Sequence, residues 1–344
     1  MKTTRIVTIL CWCVSALALI SLAIWFIFFS PLAASNWGRL FNSNFSISIS
    51  GETLTGPFNP VSTHNVAPDN IDSLNIDWIS GTITIEPHTG NEIVITEFAQ
   101  RDLNDNEKMY ISTTGSTLNI QYVEGRRVGT MPSKRLEILI PETLSNYLNR
   151  LFIDTTSGLI TITDLTSQTI DIRSTSGGIT AANIYTESFI INGTSGNLNI
   201  SDTNAYTIRT NITSGRQNIS GTFNDVHITG TSGGLNLENY AEHSTLHVSI
   251  TSGAQDISGS FRTADLRSTS GTVFFLSRTV PESVRVNNTS GNVTITVPNE
   301  GTISVNHSST SGRFTSDVPV IMQSGDAQIR VSSTSGNLTI NELR

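Results

Sequence analysis

Residues 189–200 read FIINGTSGNLNI, and the tripeptide near their centre decides the fold. Thr-Ser-Gly occurs ten times in the chain, with its glycines at Gly158, Gly177, Gly196, Gly215, Gly233, Gly253, Gly271, Gly291, Gly312 and Gly336. Successive glycines are 18 to 24 residues apart, and most intervals are 18 to 20. A turn sequence that recurs at a nearly constant interval is typical of a stack of similar structural units. The second half of the chain is therefore predicted to be a repeat array.

Apolar residues flank each triplet with a period of two. Around Gly196, Phe189 and Ile191 precede the triplet, and Leu198 and Ile200 follow it. Such alternation is typical of a strand with one buried face. Each repeat reads strand, Thr-Ser-Gly corner, strand, variable corner, which is too short for a crossover helix. Parallel strands joined without helices form a solenoid. The chain is therefore predicted to be all-β, a parallel β-solenoid of about 19-residue Thr-Ser-Gly coils.

The triplet itself suits a stacked corner. Glycine permits a positive φ where a Cβ would clash. Serine and threonine hydroxyls can bond backbone groups that a turn leaves unpaired. A ligand-binding ladder is the alternative interpretation of the triplet, and the structural corner is favoured.

The N-terminus contains a long apolar segment. Residues 6–29 (IVTILCWCVSALALISLAIWFIFF) are uncharged, and as a helix they would span ~36 Å, enough to cross a ~30 Å hydrocarbon core. Lys2 and Arg5 precede the segment, so the positive-inside rule predicts a cytoplasmic N-terminus and an exported remainder. A signal-anchor helix is favoured over a cleaved signal peptide ending near Ala33-Ala34-Ser35, because cleavable apolar regions are usually ~7–15 residues long.

This pattern predicts five regions. They are a cytoplasmic tail (1–5), a transmembrane helix (6–29), a linker with room for one edge strand (30–64), an N-terminal β section continuous with the solenoid (65–150) and the β-solenoid array (151–344). Both cysteines, Cys11 and Cys13, lie in the apolar segment, so the exported part needs no disulfide. The strand at 338–340 is followed almost at once by the last residue, so it is expected to leave an open strand edge.

The charge of the chain argues against one class of partner. The net charge is −8, which becomes about −10 for residues 31–344 once Lys2 and Arg5 are set aside. An acidic surface repels a phosphate backbone, so nucleic-acid binding is excluded. Charged residues are only 14% of the chain, so its surface is expected to consist mainly of hydroxyls and amides.

The repeat register creates one outward column, four positions before the threonine of each triplet. Its members in chain order are Phe152, Asp171, Ile190, Arg209, His227, His247, Asp265, Arg285, Asn306 and Arg330. His227 and His247 would lie ~5 Å apart, which is close enough for two imidazoles to share a metal ion. Arg209 beside them argues against a metal, and a solvated ladder of mixed charges is the favoured interpretation. No metal or cofactor site is predicted.

Catalysis is not predicted either. A carbohydrate-active solenoid needs acids clustered on one face, whereas the candidate acids are scattered singly at Asp164, Asp202, Glu238 and Asp256. The sequence contains no nucleophile–histidine–acid spacing and no phosphate-binding loop. We therefore predict no catalytic residues and no enzymatic activity.

Three elements together resemble a known family. They are Ile-x-x-Leu-x-Ile followed by Ser-Gly-Thr-Ile-Thr-Ile (71–85), the Leu-x-Ile-x-Ile-Pro segment (136–141), and the repeated Thr-Ser-Gly coils. This set resembles the bacterial "putative adhesin" β-strand-repeat family, a domain of unknown function common in Gram-positive cell-envelope proteins, over roughly residues 65–344. The resemblance implies an envelope location, and some members of the family are linked to envelope-stress sensing. The family's pattern contains no catalytic residues.

Taken together, these observations predict a single-pass cell-membrane protein whose bulk is extracellular. Its solenoid is expected to act as a structural, adhesin-like binding module that contacts a cell-wall polymer or another surface protein. An envelope-stress accessory that works through a membrane partner is the first alternative, since a five-residue cytoplasmic tail cannot signal alone. A carbohydrate-active enzyme is the second alternative.

Overall fold

The computed structural model describes residues 57–125, 132–321, 325 and 327–343, and all of them lie in one compact unit. The predicted transmembrane helix at residues 6–29 lies outside the described residues. Among the described residues, no helix combines the length and apolar character needed to cross a bilayer.

The N-terminal part is built from short strands. They are β1 (Asn59–Val66), β2 (Ser73–Ser80), β3 (Ile83–His88), β4 (Ile93–Ala99), β5 (Tyr110–Thr114), β6 (Thr117–Gln121) and β7 (Lys134–Pro141), with a 3-10 helix (Asp105–Glu107) before β5 and a short helix α1 (Glu142–Ser145) after β7. Strand β4 lies antiparallel between β1 and β7, and β5 is antiparallel to β6. Strand β1 lies partly inside the range predicted to hold a linker and one edge strand.

The remaining strands form the parallel stack. They are β8 (Leu148–Ser157), β9 (Ile160–Ser176), β10 (Ile179–Ser195), β11 (Leu198–Ser214), β12 (Gln217–Ser232), β13 (Leu235–Asn239), β14 (Ser244–Ser252), β15 (Gln255–Gly259), β16 (Phe261–Ser270), β17 (Val273–Ser277), β18 (Ser283–Ser290), β19 (Val293–Val297), β20 (Ile303–Ser311), β21 (Phe314–Ser316), β22 (Val320–Ile321), β23 (Ala327–Ser335) and β24 (Leu338–Glu342). Strands β2 and β3 pair in parallel with β8 and β9, which joins the N-terminal part to the stack. The all-β, solenoid-like fold is confirmed.

Each coil has three sides, which β10 illustrates. The post-triplet face (179–182) ends at Asn183, whose φ is +56°. The lateral face (184–188) follows. The pre-triplet face is 189–195. The alternation of buried residues changes phase between these two faces, since the even-numbered Ile184 is buried on the lateral face and the odd-numbered Phe189 and Ile191 are buried on the pre-triplet face. Asp164 and Asp202 occupy the corner of Asn183 in the coils on either side, also with positive φ. Asparagine and aspartate tolerate this backbone region better than other residues with a side chain.

The Thr-Ser-Gly corners stack through backbone hydrogen bonds. All ten triplet glycines have φ between +120° and +150°. The N–H of Gly177 donates to the Ser195 carbonyl at 3.2 Å, and the N–H of Gly196 donates to the Ser214 carbonyl at 3.1 Å. A Cβ on Gly196 would overlap the Gly177 carbonyl oxygen. The structural interpretation of the triplet is thus confirmed, and the hydroxyls of Ser214 and Ser252 also donate to the Thr194 and Thr231 carbonyls of the neighbouring coil.

The coils at the C-terminus are not stacked in chain order. Strands β18 and β19 pair with β23 and β24, and β20 and β21 then pair with the other edges of β23 and β24. The expectation of an open edge at 338–340 is therefore wrong, because Leu338 pairs with Val293 on one side and Phe314 on the other. The outer coil therefore comes before the last coil in the sequence, and the last coil lies between the outer coil and the rest of the stack. The two coils differ in apolar pattern, because His307 and Ser316 of the outer coil stand where the inserted coil has Val331 and Ile340. The coil that is covered on both edges is thus the more apolar of the two.

Candidate binding faces

The predicted column is present on the pre-triplet face, and of its members Asp171 is buried rather than exposed. Strand register runs from Phe152 through Asp171, Ile190, Arg209, His227, His247, Asp265 and Arg285 to Arg330 and Asn306. Only the last two members exchange places, because the last coil of the chain is inserted inside the preceding one. Period-two alternation and the triplet spacing were sufficient to place these residues.

His227 and His247 stack on one another. Their ring centroids are 4.8 Å apart and the rings are inclined by 20°. His227 Nε2 lies 3.0 Å from Asp225 Oδ2, and the Arg209 guanidinium lies 3.8 Å from the same oxygen. In the described part of the chain, no group of three or more histidine, cysteine or acidic residues has the arrangement needed to hold a metal ion. The Asp225 carboxylate that contacts His227 thus also lies beside the Arg209 guanidinium.

A shallow polar trough continues from the histidines along the same face. One section, of about 260 Å³, lies between His227 and Arg267. The next, of about 320 Å³, crosses β14, β16, β18 and β23, and its outward lining consists of Ser249, Thr251, Arg267, Thr269, Asn287, Thr289, Ser332 and Thr334. The hydrogen bond from Arg267 to Asp265 raises the pKa of this guanidinium, which stays charged. Hydroxyl, amide and guanidinium groups in this arrangement can hydrogen-bond a polar polymer.

The four scattered acids lie apart from the trough. Asp164 accepts a hydrogen bond from the Asn183 amide in the next coil, and Asp202 is another left-handed corner residue. Glu238 forms an ion pair with Arg278 at 3.2 Å, and Asp256 lies on the post-triplet face of β15. Two of these acids therefore serve the corners of the fold, and the structure does not bring the four together.

Sequence reasoning missed a second column, on the lateral face. Its members in successive coils are Tyr147, Thr166, Tyr185, Asn204, Thr222 and Tyr240. The tyrosines are 82%, 51% and 52% exposed, and Tyr206, two residues beyond Asn204, is 66% exposed. Partial burial, together with the neighbouring Glu238, raises the pKa of Tyr240, so its phenol stays protonated. Counting eight residues from Gly177 and seven from Gly233 would have found Tyr185 and Tyr240.

A buried ion pair was also missed. Lys134 Nζ lies 2.7 Å from Glu97 Oε1, and neither side chain is exposed. Lys134 also donates to the Tyr122 carbonyl at 2.5 Å and lies 4.1 Å from the centroid of the Tyr122 ring. Burial lowers the pKa of Lys134, against the opposing effect of Glu97. The pair joins β7 to β4 and faces no described groove, so we assign it a structural role.

The family model described as Toastrack DUF4097 matches residues 71–260 and 222–341, which together span most of the sequence. The chain belongs to this family. The resemblance to "putative adhesin" domains of unknown function is thereby confirmed. No curated protein matches the chain.

Several solved structures are similar to this chain. A "putative adhesin" from Parabacteroides distasonis is 12% identical, with 83% of this chain and 98% of that chain covered and a TM-score of 0.45. A "putative lipid binding protein" from the same species is 13% identical, with 82% and 98% covered and a TM-score of 0.45. A "putative adhesin" from Bacteroides fragilis is 12% identical, with 81% and 96% covered and a TM-score of 0.38. At these identities and scores the structures carry no argument about function.

Proposed function

We propose that this Toastrack protein is a membrane-anchored, extracellular binding module that contacts a cell-wall polymer or another surface protein in an adhesin-like manner. The observation that carries the proposal is the pre-triplet face, where hydroxyl, amide and charged side chains continue from coil to coil in register. The uncharged segment 6–29 supports an anchor with the N-terminus inside. We further propose that the module has no enzymatic activity.

The trough favours a polar ligand over an apolar one. In the section that crosses β14, β16, β18 and β23, the outward lining groups are hydroxyls, an amide and one guanidinium, which can exchange hydrogen bonds with water for hydrogen bonds with a polymer. Arg285 and Arg330 do not line the trough but border it, opposite one another in adjacent strands and two residues before its lining residues Asn287 and Ser332. Arg330 donates to Gln328 at 3.3 Å, and within the described residues Arg285 makes no ion pair. These two arginines are therefore available to a ligand.

The experiment is a pull-down with the full-length chain, kept in mild detergent, against purified cell-wall material and a solubilised envelope lysate. Retention on wall material, weakened in Arg285→Ala/Arg330→Ala and unchanged in Arg216→Ala, is the expected result. Arg216 is the control because it lies at the corner beside Gly215, away from the trough. Recovery of one membrane protein alone would favour the sensor accessory. Cleavage of a glycan by the intact chain would favour an enzyme, and no retention at all would contradict the proposal.

A further inference from the structure

The lateral face concentrates exposed aromatic residues on a surface that is otherwise polar. Four of the six tyrosines of the chain, Tyr147, Tyr185, Tyr206 and Tyr240, lie there and are at least half exposed. Burying an aromatic ring is favourable, so a set of rings left in water on one side of a molecule marks a contact surface. The strand register fixes the spacing of these residues along the stack.

The register determines how the rings are spaced. Tyr185 pairs with Thr166, and Tyr147 lies one coil further on in the same column. At ~4.8 Å between parallel strands, Tyr147 and Tyr185 are ~10 Å apart along the stack. Tyr206 lies one coil beyond Tyr185 and two positions along the strand. Each ring therefore stands alone with polar neighbours on both sides.

A groove of about 420 Å³ lies between Tyr147 and Tyr185. Its polar lining includes Thr166, Gln168 and Glu187. The Gln168 amide donates to the Glu187 carboxylate at 3.5 Å, which leaves the remaining hydrogen-bonding capacity of both groups for a ligand. The lining contains one carboxylate and no lysine or arginine, so the groove disfavours an anionic ligand.

These groups match the chemistry of a neutral sugar chain. A pyranose ring has an apolar C–H face that stacks on an aromatic ring, and a rim of hydroxyls that bond amides and carboxylates. A proline-rich peptide also binds aromatic-lined grooves, but it needs neighbouring rings that form one slot. Here a threonine separates the two tyrosines along the column, so each can stack on a separate sugar ring.

We propose that the lateral face binds a neutral glycan, with Tyr147 and Tyr185 as stacking platforms, Tyr206 as an extension, and Gln168 and Glu187 as hydrogen-bond partners of sugar hydroxyls. This site lies on a different face from the trough, and it depends on the proposed function only in that both serve a surface-binding module.

Affinity electrophoresis of the full-length chain in gels containing hydroxyethyl cellulose, laminarin or mannan tests the site. At least one neutral polymer should retard the chain. Tyr185→Ala and Tyr147→Ala should each weaken that binding by about tenfold, whereas Tyr185→Phe should retain it because the ring remains. Tyr110→Ala is the matched control, because Tyr110 is an exposed tyrosine on β5. Both alanine variants should keep the wild-type melting temperature, since the rings lie in solvent.

Retardation by none of the three polymers, or retardation that both alanine variants retain, would overturn the proposal. Binding of a decaproline peptide that is lost in Tyr185→Ala, without any effect of the glycans, would also overturn it. The Arg285→Ala/Arg330→Ala variant separates the two proposals. It should lose wall retention and keep glycan binding, so failure of the trough and failure of the lateral face give different results.

Discussion

At the scale of single residues, Gly196 shows why the repeat depends on glycine. Its φ of +130° lies in a region that residues with a side chain avoid, and a Cβ there would meet the carbonyl oxygen of Gly177 in the coil below. The same conflict recurs from Gly158 to Gly336, so the glycines form a continuous backbone contact through the stack. The glycine of each Thr-Ser-Gly corner thus meets a steric requirement of the stack.

Replacing Gly196 by alanine should lower the free energy of unfolding by about 3 kcal/mol, since backbone strain and the clash act together. The control is Gly234→Ala, whose Cβ would meet only the Ala254 carbonyl oxygen at an ordinary 3.6 Å, and it should change stability by less than about 0.5 kcal/mol. Urea unfolding followed by circular dichroism measures both. Equal effects of the two substitutions would contradict the steric account of the corner.

The carboxylate of Glu107 has a strongly lowered pKa. Arg101 binds it through two nitrogens, at 2.6 and 2.9 Å, and the Asn104 N–H donates to it at 2.9 Å. The hydrogen bond from Arg101, with help from Asn104, lowers the pKa of Glu107 from 4.5 to about 2. Because the folded state holds the lower pKa, this stabilisation is complete above pH 4.5 and is lost as the pH falls toward 2.

Glu107→Gln should therefore reduce the free energy of unfolding by about 1–2 kcal/mol at pH 7, a value that allows for solvent screening of the pair. The difference from the wild type should shrink steadily between pH 4.5 and pH 2. Urea titrations across this range measure it, with Asp105→Asn in the exposed Lys108 pair as the control. A difference that stays constant with pH would show that the pair does not titrate as described.

At the scale of secondary structure, the N-terminal strands are joined by a buried ion pair, whereas the coils are joined by their stacked corners. Strand β4 is antiparallel and contributes no triplet corner, and the Lys134–Glu97 pair joins it to β7. The Met109 N–H also donates to Glu97, at 3.0 Å, which brings in the segment before β5. Breaking a buried pair leaves one uncompensated charge, which is more costly than losing an exposed pair.

Lys134→Met should destabilise the protein by about 3–5 kcal/mol, because Glu97 would be left charged and buried without its cation. The double variant Lys134→Met/Glu97→Leu should recover a large part of that loss. Arg135→Met, next along β7 and exposed, should cost less than about 1 kcal/mol. Thermal unfolding of the four proteins measures these differences. A double variant no more stable than Lys134→Met would argue against the charge-based explanation.

At the scale of the whole described unit, the order of the final coils departs from the order of the chain. Arg285 is the register partner of Arg330, and Asn306 lies one strand further out. A chain that stacked its coils in sequence would place Asn306 beside Arg285. Instead, β23 lies between β18 and β20, and β24 lies between β19 and β21. Strands β20 and β21 are therefore further out than the strands that follow them in the sequence.

Disulfide trapping distinguishes the two orders. In a background with Cys11→Ser and Cys13→Ser, the pair Arg285→Cys/Arg330→Cys should crosslink on mild oxidation, since register partners in adjacent strands lie within disulfide reach. The pair Arg285→Cys/Asn306→Cys should not, because positions two strands apart exceed the ~7 Å limit between Cα atoms. Mass spectrometry of unreduced peptides identifies the products. The reverse outcome would mean that the coils stack in chain order.

The two outward columns differ in how well the sequence alone predicts them. The column from Phe152 to Arg285 could be predicted because it is counted back from an invariant local feature, the triplet. The tyrosine column could not be placed as easily, because the lateral bend shifts the phase of alternation and the offset from the glycine changes from eight residues to seven. The Lys134–Glu97 contact joins residues that no local periodicity relates.

The sequence by itself determined the coil, its corners and the inward and outward faces of its strands, because steric limits at glycine and period-two burial act over a few neighbouring residues. It also determined the acidic, hydroxyl-rich character of the surface. Only the tertiary structure decided which coil lies beside which at the C-terminus and which tyrosines share a face. Those features depend on contacts between coils that are distant in sequence, which the periodicity within one coil does not describe. At the C-terminus, the coil with Val331 and Ile340 is covered on both edges, and the coil with His307 and Ser316 at the matching positions lies outside it.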